Sequence, residues 1–181
     1  MEITFIRHAE KEETGEDPYL TKRGIKQAEH LAERLVKEKF NEFYCSDMNR
    51  AKQTAGIISK KIKMTPKIEK SLNEFESKTI KESKNKWDKE DIVHCNKLSS
   101  FLKKLAKNPE DNKSVLIIAH GITNRIILSH FLKLNLKTIL PFRQSEGGIN
   151  SIHWAEIFKN WRLQIWNDNT HIPRELRVNR Y

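Results

Sequence analysis

Two short runs of β-forming residues each lead into a histidine. Ile3-Thr4-Phe5-Ile6 runs into Arg7-His8, and Val115-Leu116-Ile117-Ile118-Ala119 runs into His120-Gly121. Helical spacing follows each histidine, so each sits in a strand-to-helix turn. Strands this apolar read as buried, and in open α/β sheets the carboxyl ends of the strands are where ligands bind. The arginine beside His8 suits an anionic ligand.

Between these turns the chain alternates strand and helix. Thr21 is a candidate N-cap for a helix whose apolar face is Ile25, Ala28, Leu31, Ala32, Leu35 and Val36. Phe43-Tyr44-Cys45 reads as a short strand, and Ser46 or Asp47 as the cap of a helix striped by Ala51, Ala55, Ile58 and Ile62. Pro66 breaks the pattern, and Lys67 to Leu72 reads as a weak strand. Asn73 to Asp91 is polar, irregular and lysine-rich, and is expected to be an excursion on the substrate side. Cys95, Leu98, Phe101, Leu102 and Leu105 mark another helix, and Ile122 to Leu134 a buried one. After Gly147-Gly148, the segments Ile149–Glu156 and Trp161–Trp166 read as a hairpin at the sheet edge. The expectation is one α/β domain over residues 1–181, a three-layer sandwich with a mostly parallel sheet and helices on both faces.

Charge narrows the partners. Lysine and arginine number 34 against 24 acidic residues, a formal net charge of +10. That balance favours acidic partners such as phosphorylated metabolites. The basic residues are scattered, with no basic block, so no nucleic-acid partner is expected. Cys45 and Cys95 form no C-x-x-C and suit a reducing compartment. No signal peptide and no apolar run of about 20 residues is present, so the expected location is cytoplasmic with no membrane partner. His8-Ala9-Glu10 matches the H-x-E half of a zinc deaminase signature, but the P-C-x-x-C half is missing. No metal and no cofactor is expected.

The candidate chemical groups follow. A neutral imidazole is a nucleophile towards phosphorus, and His8 stands beside a guanidinium able to neutralise phosphoryl oxygens. His120 stands in the matching turn. Arg50 opens a helix, where the macrodipole disfavours a cation unless it shares an anion with the helix end. Glu74 follows the weak strand and suits proton transfer to a leaving oxygen, a role for which Glu76 and Glu82 compete.

Six segments together resemble the histidine phosphatase superfamily, also called phosphoglycerate mutase-like. Arg7-His8-Ala9-Glu10 is similar to its R-H-G/A-E, and Leu20-Thr21-Lys22-Arg23-Gly24-Ile25-Lys26-Gln27-Ala28 to its L-T-x-x-G-x-x-Q-A. The stretch from Tyr44 to Ala55 resembles Y-S-S-x-x-x-R-A-x-Q-T-A, and Leu72-Asn73-Glu74 resembles L-x-E. Ala119-His120-Gly121 is similar to S-H-G, and Asn167 to Ile172 to a C-terminal N-D-x-x-H-L. The resemblance implies that His8 becomes phosphohistidine while Arg7, Arg50 and His120 clamp the phosphoryl group. It implies that Glu74 protonates the leaving group and then activates water. Thr14 stands six residues after the nucleophile, where many members carry a phosphate-binding asparagine. After Glu74 the usual G-x-W-E-G is absent, so the substrate-side loop differs from the common type.

The reading is a metal-independent phosphatase acting on a small phosphomonoester through phosphohistidine. A phosphoglycerate mutase-type transferase, a phosphohistidine phosphatase and a non-catalytic phospho-ligand binder are the alternatives.

Overall fold

The computed structural model describes residues 1–75 and 89–178. Glu76, Glu82 and most of the irregular stretch therefore lie outside the described residues. β1 (Glu2–Arg7) leads to α1 (Lys22–Leu35), β2 (Glu42–Cys45) to α2 (Asn49–Ile62), and β3 (Lys67–Ile68) to a single 3₁₀ turn over Lys70–Leu72. Then come α3 (Lys89–Leu105), β4 (Ser114–Ala119), α4 (Gly121–Leu132), the short α5 (Leu136–Ile139), β5 (Ile149–Ala155) and β6 (Asn160–Asp168).

The strands form one sheet in the order β3-β2-β4-β1-β5-β6. The first four are parallel, and β5 and β6 add an antiparallel edge, as the hairpin reading expected. Alternation along the central strands builds a core on each face. Ile3, Phe5, Val115 and Ile117 pack with Leu98 and Leu102 of α3 and Ile127 and Leu128 of α4. Ile6, Leu116 and Ile118 pack on the other face with Leu31 and Leu35 of α1 and Ala55 and Ile58 of α2. The three-layer α/β sandwich is the observed architecture.

Three local readings change. Ile25 and Val36 lie off the buried stripe of α1, at 37% and 41% exposure. The stripe instead includes Gln27, fully buried because it bridges two backbones: it accepts from Glu10 N at 2.8 Å and donates to the Leu176 carbonyl at 2.7 Å. Only Lys67–Ile68 of the weak strand pairs with β2, because the Glu69 carboxylate accepts from Ser71 N at 2.9 Å and turns the chain. Neither Ser46 nor Asp47 caps α2. Met48 holds the N-cap position with no side-chain cap, and Ser46 is used elsewhere. Thr21 does cap α1, accepting from Gly24 N at 2.8 Å. Gly24 is required there, since a Cβ would stand 2.0 Å from the Glu10 carbonyl oxygen.

Candidate active site

The sheet register creates the site. β1 and β4 are parallel neighbours with Arg7 opposite Ala119, and His8 N donates to the Ala119 carbonyl at 2.9 Å. The next residue on each strand is then a histidine, and the two rings meet edge-on with centroids 5.0 Å apart. The chain leaves β1 for α1 on one face and β4 for α4 on the other. The pair thus stands at a topological switch point, where a crevice opens between diverging connections.

Hydrogen bonds fix the tautomer of His8. Its Nδ1–H donates to the Ala9 carbonyl at 2.7 Å, which leaves Nε2 unprotonated. Arg50 Nε donates to the Nε2 lone pair at 3.2 Å, so Arg50, on the first turn of α2, points at the same atom. The ring is buried. Burial first, and then the charges of Arg7 and Arg50, hold its pKa well below the usual histidine value. His8 is therefore neutral at pH 7, with an in-plane lone pair on Nε2.

His120 is also buried, and its pKa is depressed by burial, then by His8, Arg50 and Arg7. The Ser46 hydroxyl donates to Asn73 Oδ1 at 2.8 Å, so its oxygen accepts from His120 Nε2 at 2.8 Å. The other nitrogen, His120 Nδ1, is buried without a partner. Arg7 shows the same pattern. Its Nη1 donates to the Gln144 carbonyl and its Nη2 pairs with Glu146 at 3.0 Å, yet its Nε is buried and unpartnered. Buried polar atoms are normally satisfied, so these two nitrogens need an explanation, and an anion seated beside them would supply one.

Glu74 reaches this cluster from the far side. Its carboxylate accepts from Thr123 N at 3.2 Å and Ile122 N at 3.5 Å, the first free amides of α4. Those amides directly follow His120-Gly121, so the carboxylate is held within a turn of the second histidine. Met48 ties Glu74 to Arg50: its sulfur accepts from Glu74 N at 3.5 Å and from Arg50 Nη2 at 3.2 Å. Arg7, His8, Arg50, Glu74 and His120 thus converge. Thr14 does not join them. It lies exposed on the 11–20 loop with no hydrogen bond to these residues.

Three participants had no signal in the linear sequence. Asp17 accepts from Asn49 N at 2.9 Å and stands 3.4 Å from Arg50 Nη1, which orients the guanidinium. Glu146 orients Arg7 from 139 positions away, and the Gly147-Gly148 turn carries it there, Gly147 N donating to the Arg7 carbonyl at 3.1 Å. Asn73 holds Ser46 and Asp47 N through one amide oxygen. Glu10 is spent on structure: it is buried and takes hydrogen bonds from Thr21 Oγ1 at 2.8 Å and Arg23 Nε at 2.7 Å. Among the described residues no group of three His, Cys, Asp or Glu side chains could hold a metal ion.

Comparison with known proteins decides the family. The family model of the histidine phosphatase superfamily (branch 1) matches residues 3–169. The chain belongs to the histidine phosphatase superfamily. Of curated relatives, it is 22% identical to "Probable phosphoglycerate mutase GpmB" of Proteus mirabilis (strain HI4320), over 95% of each chain. Its structure is similar to that of a phosphoserine phosphatase mutant from Entamoeba histolytica in complex with phosphoserine, with a TM-score of 0.76 and 20% identity over 95% of this chain and 99% of that one. It is also similar to a mycobacterial glucosyl-3-phosphoglycerate phosphatase in complex with inorganic phosphate, with a TM-score of 0.74 and 16% identity over 95% and 99% of the two chains. These structural likenesses are of fold. In a histidine phosphatase the fork of Arg50 should matter as well as its charge. A planar guanidinium can hold two phosphoryl oxygens at once, a geometry that lysine cannot reproduce. Arg50→Lys is expected to lower kcat about tenfold or more, the value of one charge-assisted hydrogen bond of roughly 1.5–3 kcal/mol. Steady-state kinetics on any hydrolysed phosphomonoester checks it.

Proposed function

We propose that this protein is a cytoplasmic phosphatase that hydrolyses a small phosphomonoester through a phosphohistidine at His8, with no metal. The observation that carries the reading is the pair of buried, unpartnered nitrogens, Arg7 Nε and His120 Nδ1, beside the unprotonated Nε2 of His8. An incoming phosphoryl group gives all three something to do. His8 Nε2 attacks phosphorus, an N–P bond forms, and the bond to the leaving oxygen breaks. Glu74 delivers a proton to that oxygen. Water then attacks phosphorus, Glu74 takes its proton, the N–P bond breaks and inorganic phosphate leaves. Arg7 and Arg50 neutralise the equatorial oxygens throughout. For His120 Nδ1 to donate, it must carry a proton, and the phosphoryl dianion supplies the negative charge that favours this.

Anionic substrates fit the site's basic walls, since Arg7 and Arg125 both flank Gly121. Of the relatives named above, one is a phosphoserine phosphatase in complex with phosphoserine and one a probable phosphoglycerate mutase, which makes phosphoserine and 3-phosphoglycerate the first substrates to try. Both cysteines are free, which suits the reducing cytoplasm. The test measures phosphate release from a panel of phosphomonoesters. Vanadate, a mimic of the five-coordinate state, should inhibit, and EDTA should leave the rate unchanged. Loss of activity in EDTA that a divalent cation restores would refute the metal-free chemistry. The mutase reading draws on the Proteus relative. It wins if 3-phosphoglycerate is isomerised without phosphate release.

A further inference from the structure

The catalytic residues occupy the carboxyl ends of β1 and β4. The opposite end of the sheet carries a feature that phosphoryl transfer leaves unused. β5 and β6 are joined there by the turn Glu156–Phe158, whose tip is apolar, with Ile157 90% exposed and Phe158 56% exposed. A cavity of about 690 Å³ opens beside the tip, walled by Phe131, Trp154 and Trp161. The rings pack in series, with centroids 4.6 Å apart for Phe131 and Trp161 and 5.9 Å apart for Trp154 and Trp161. Lys103, Lys107, Lys133 and Lys159 line the cavity, and no aspartate or glutamate does. Among the described residues, Lys103, Lys107 and Lys133 have no carboxylate partner. Glu156, the acid of the turn, is folded back onto Trp154 Nε1 at 2.8 Å and onto Lys159. Arg162 lies over the Phe158 ring, 3.7 Å from its centroid.

We propose that this end of the molecule docks on the surface of an anionic bilayer. Ile157 and Phe158 enter the interfacial layer, Trp154 and Trp161 sit at headgroup level, and the lysines face the lipid phosphates. Amphipathic rings favour that depth, and each lysine near an anionic surface adds attraction. Shallow insertion needs no membrane-crossing helix. The chemistry disfavours other occupants. A small soluble anion would need cations converging inside the cavity, whereas these lysines are exposed on its rim. A second copy would set the same lysines against one another across a twofold axis. The segments involved are far apart in sequence, so no linear window shows the patch, and the sequence expectation of no membrane partner could not include it. β1 separates the patch from His8 by roughly 17 Å of strand, so the active site faces solution while the protein is docked.

The test is co-sedimentation with vesicles of phosphatidylglycerol in excess phosphatidylcholine, beside pure phosphatidylcholine vesicles. The protein should pellet with the first and not with the second. Ile157→Asp should weaken partitioning tenfold or more, from the loss of one buried aliphatic side chain. Lys103→Gln and Lys133→Gln should weaken it about fivefold each. All three positions are remote from the catalytic residues, and unchanged thermal midpoints show that the variants are folded. No pelleting with anionic vesicles overturns the proposal. So does binding that Ile157→Asp leaves intact, since charge alone would then explain it. A dimer that Ile157→Asp dissolves, without vesicle binding, would assign the tip to self-association instead.

Discussion

Alanine in place of His8 is expected to lower turnover by a factor on the order of 10⁵–10⁶, the scale of loss when a covalent nucleophile is removed. The prediction rests on one atom. Nδ1 of His8 is committed to the Ala9 carbonyl, so Nε2 is the basic nitrogen, and Arg50 Nε points at it from 3.2 Å. The wild-type enzyme, quenched during turnover, should hold a phosphate that is labile to acid and stable to base, as an N–P bond is. The alanine variant should hold none. Arg7, Arg50 and His120 remain in the variant, so it should still bind vanadate or phosphate, which separates a chemical defect from a folding one. The pH profile carries a second signature. The pKa of His8 is depressed by burial and by Arg7, so it is still deprotonated as pH falls through the ordinary histidine range. The acid limb of kcat/KM that His8 controls should therefore lie well below pH 6.5, and protonation should silence the enzyme only below that limb. Residual turnover near the wild-type level in His8→Ala, or a phosphoenzyme that survives acid, would end the mechanism.

Much of this site was legible because its chemistry sits at strand ends. A short apolar run that stops at a histidine marks both an element and an edge, and two such runs place two imidazoles at the same edge of one sheet. That β1 and β4 are neighbours was not legible, because strand order depends on which helices cover which face. Arg50 could be read from the electrostatic oddity of a cation on a first helical turn. Ser46 was misread for a related reason. A serine before a helix suggests a cap, but its hydroxyl is spent between Asn73 and His120. Gln27 shows the same limit for packing, since apolar periodicity ignores a polar residue buried to satisfy two remote backbones. Asp17 and Glu146 had no signal at all. Each orients an arginine from a loop, and a carboxylate in an acidic or glycine-rich loop looks like solvated surface until the fold closes.

Glu74→Gln is expected to slow hydrolysis of alkyl phosphates by about 10²–10⁴-fold, the usual contribution of general acid catalysis, while p-nitrophenyl phosphate slows far less. An alkyl oxygen leaves as a basic alkoxide and needs its proton in the transition state, whereas nitrophenolate leaves almost unaided. The geometry favours this role for Glu74 over a structural one. Its carboxylate accepts from Ile122 N, Thr123 N and Thr123 Oγ1, so it is anchored on α4 at the residues next to His120. Glutamine keeps the carbonyl acceptor for those donors and removes only the transferable proton, so the fold should survive the change. A second outcome is informative. If the carboxylate matters chiefly as the base for water in the second step, both substrates should slow alike and phosphoenzyme should accumulate. Glu76 and Glu82 follow Glu74 within one short segment and are the controls. If Glu74→Gln leaves both substrates untouched while Glu76→Gln or Glu82→Gln separates them, the proton donor comes from that segment, and Glu74 is an anchor of the α4 amino terminus.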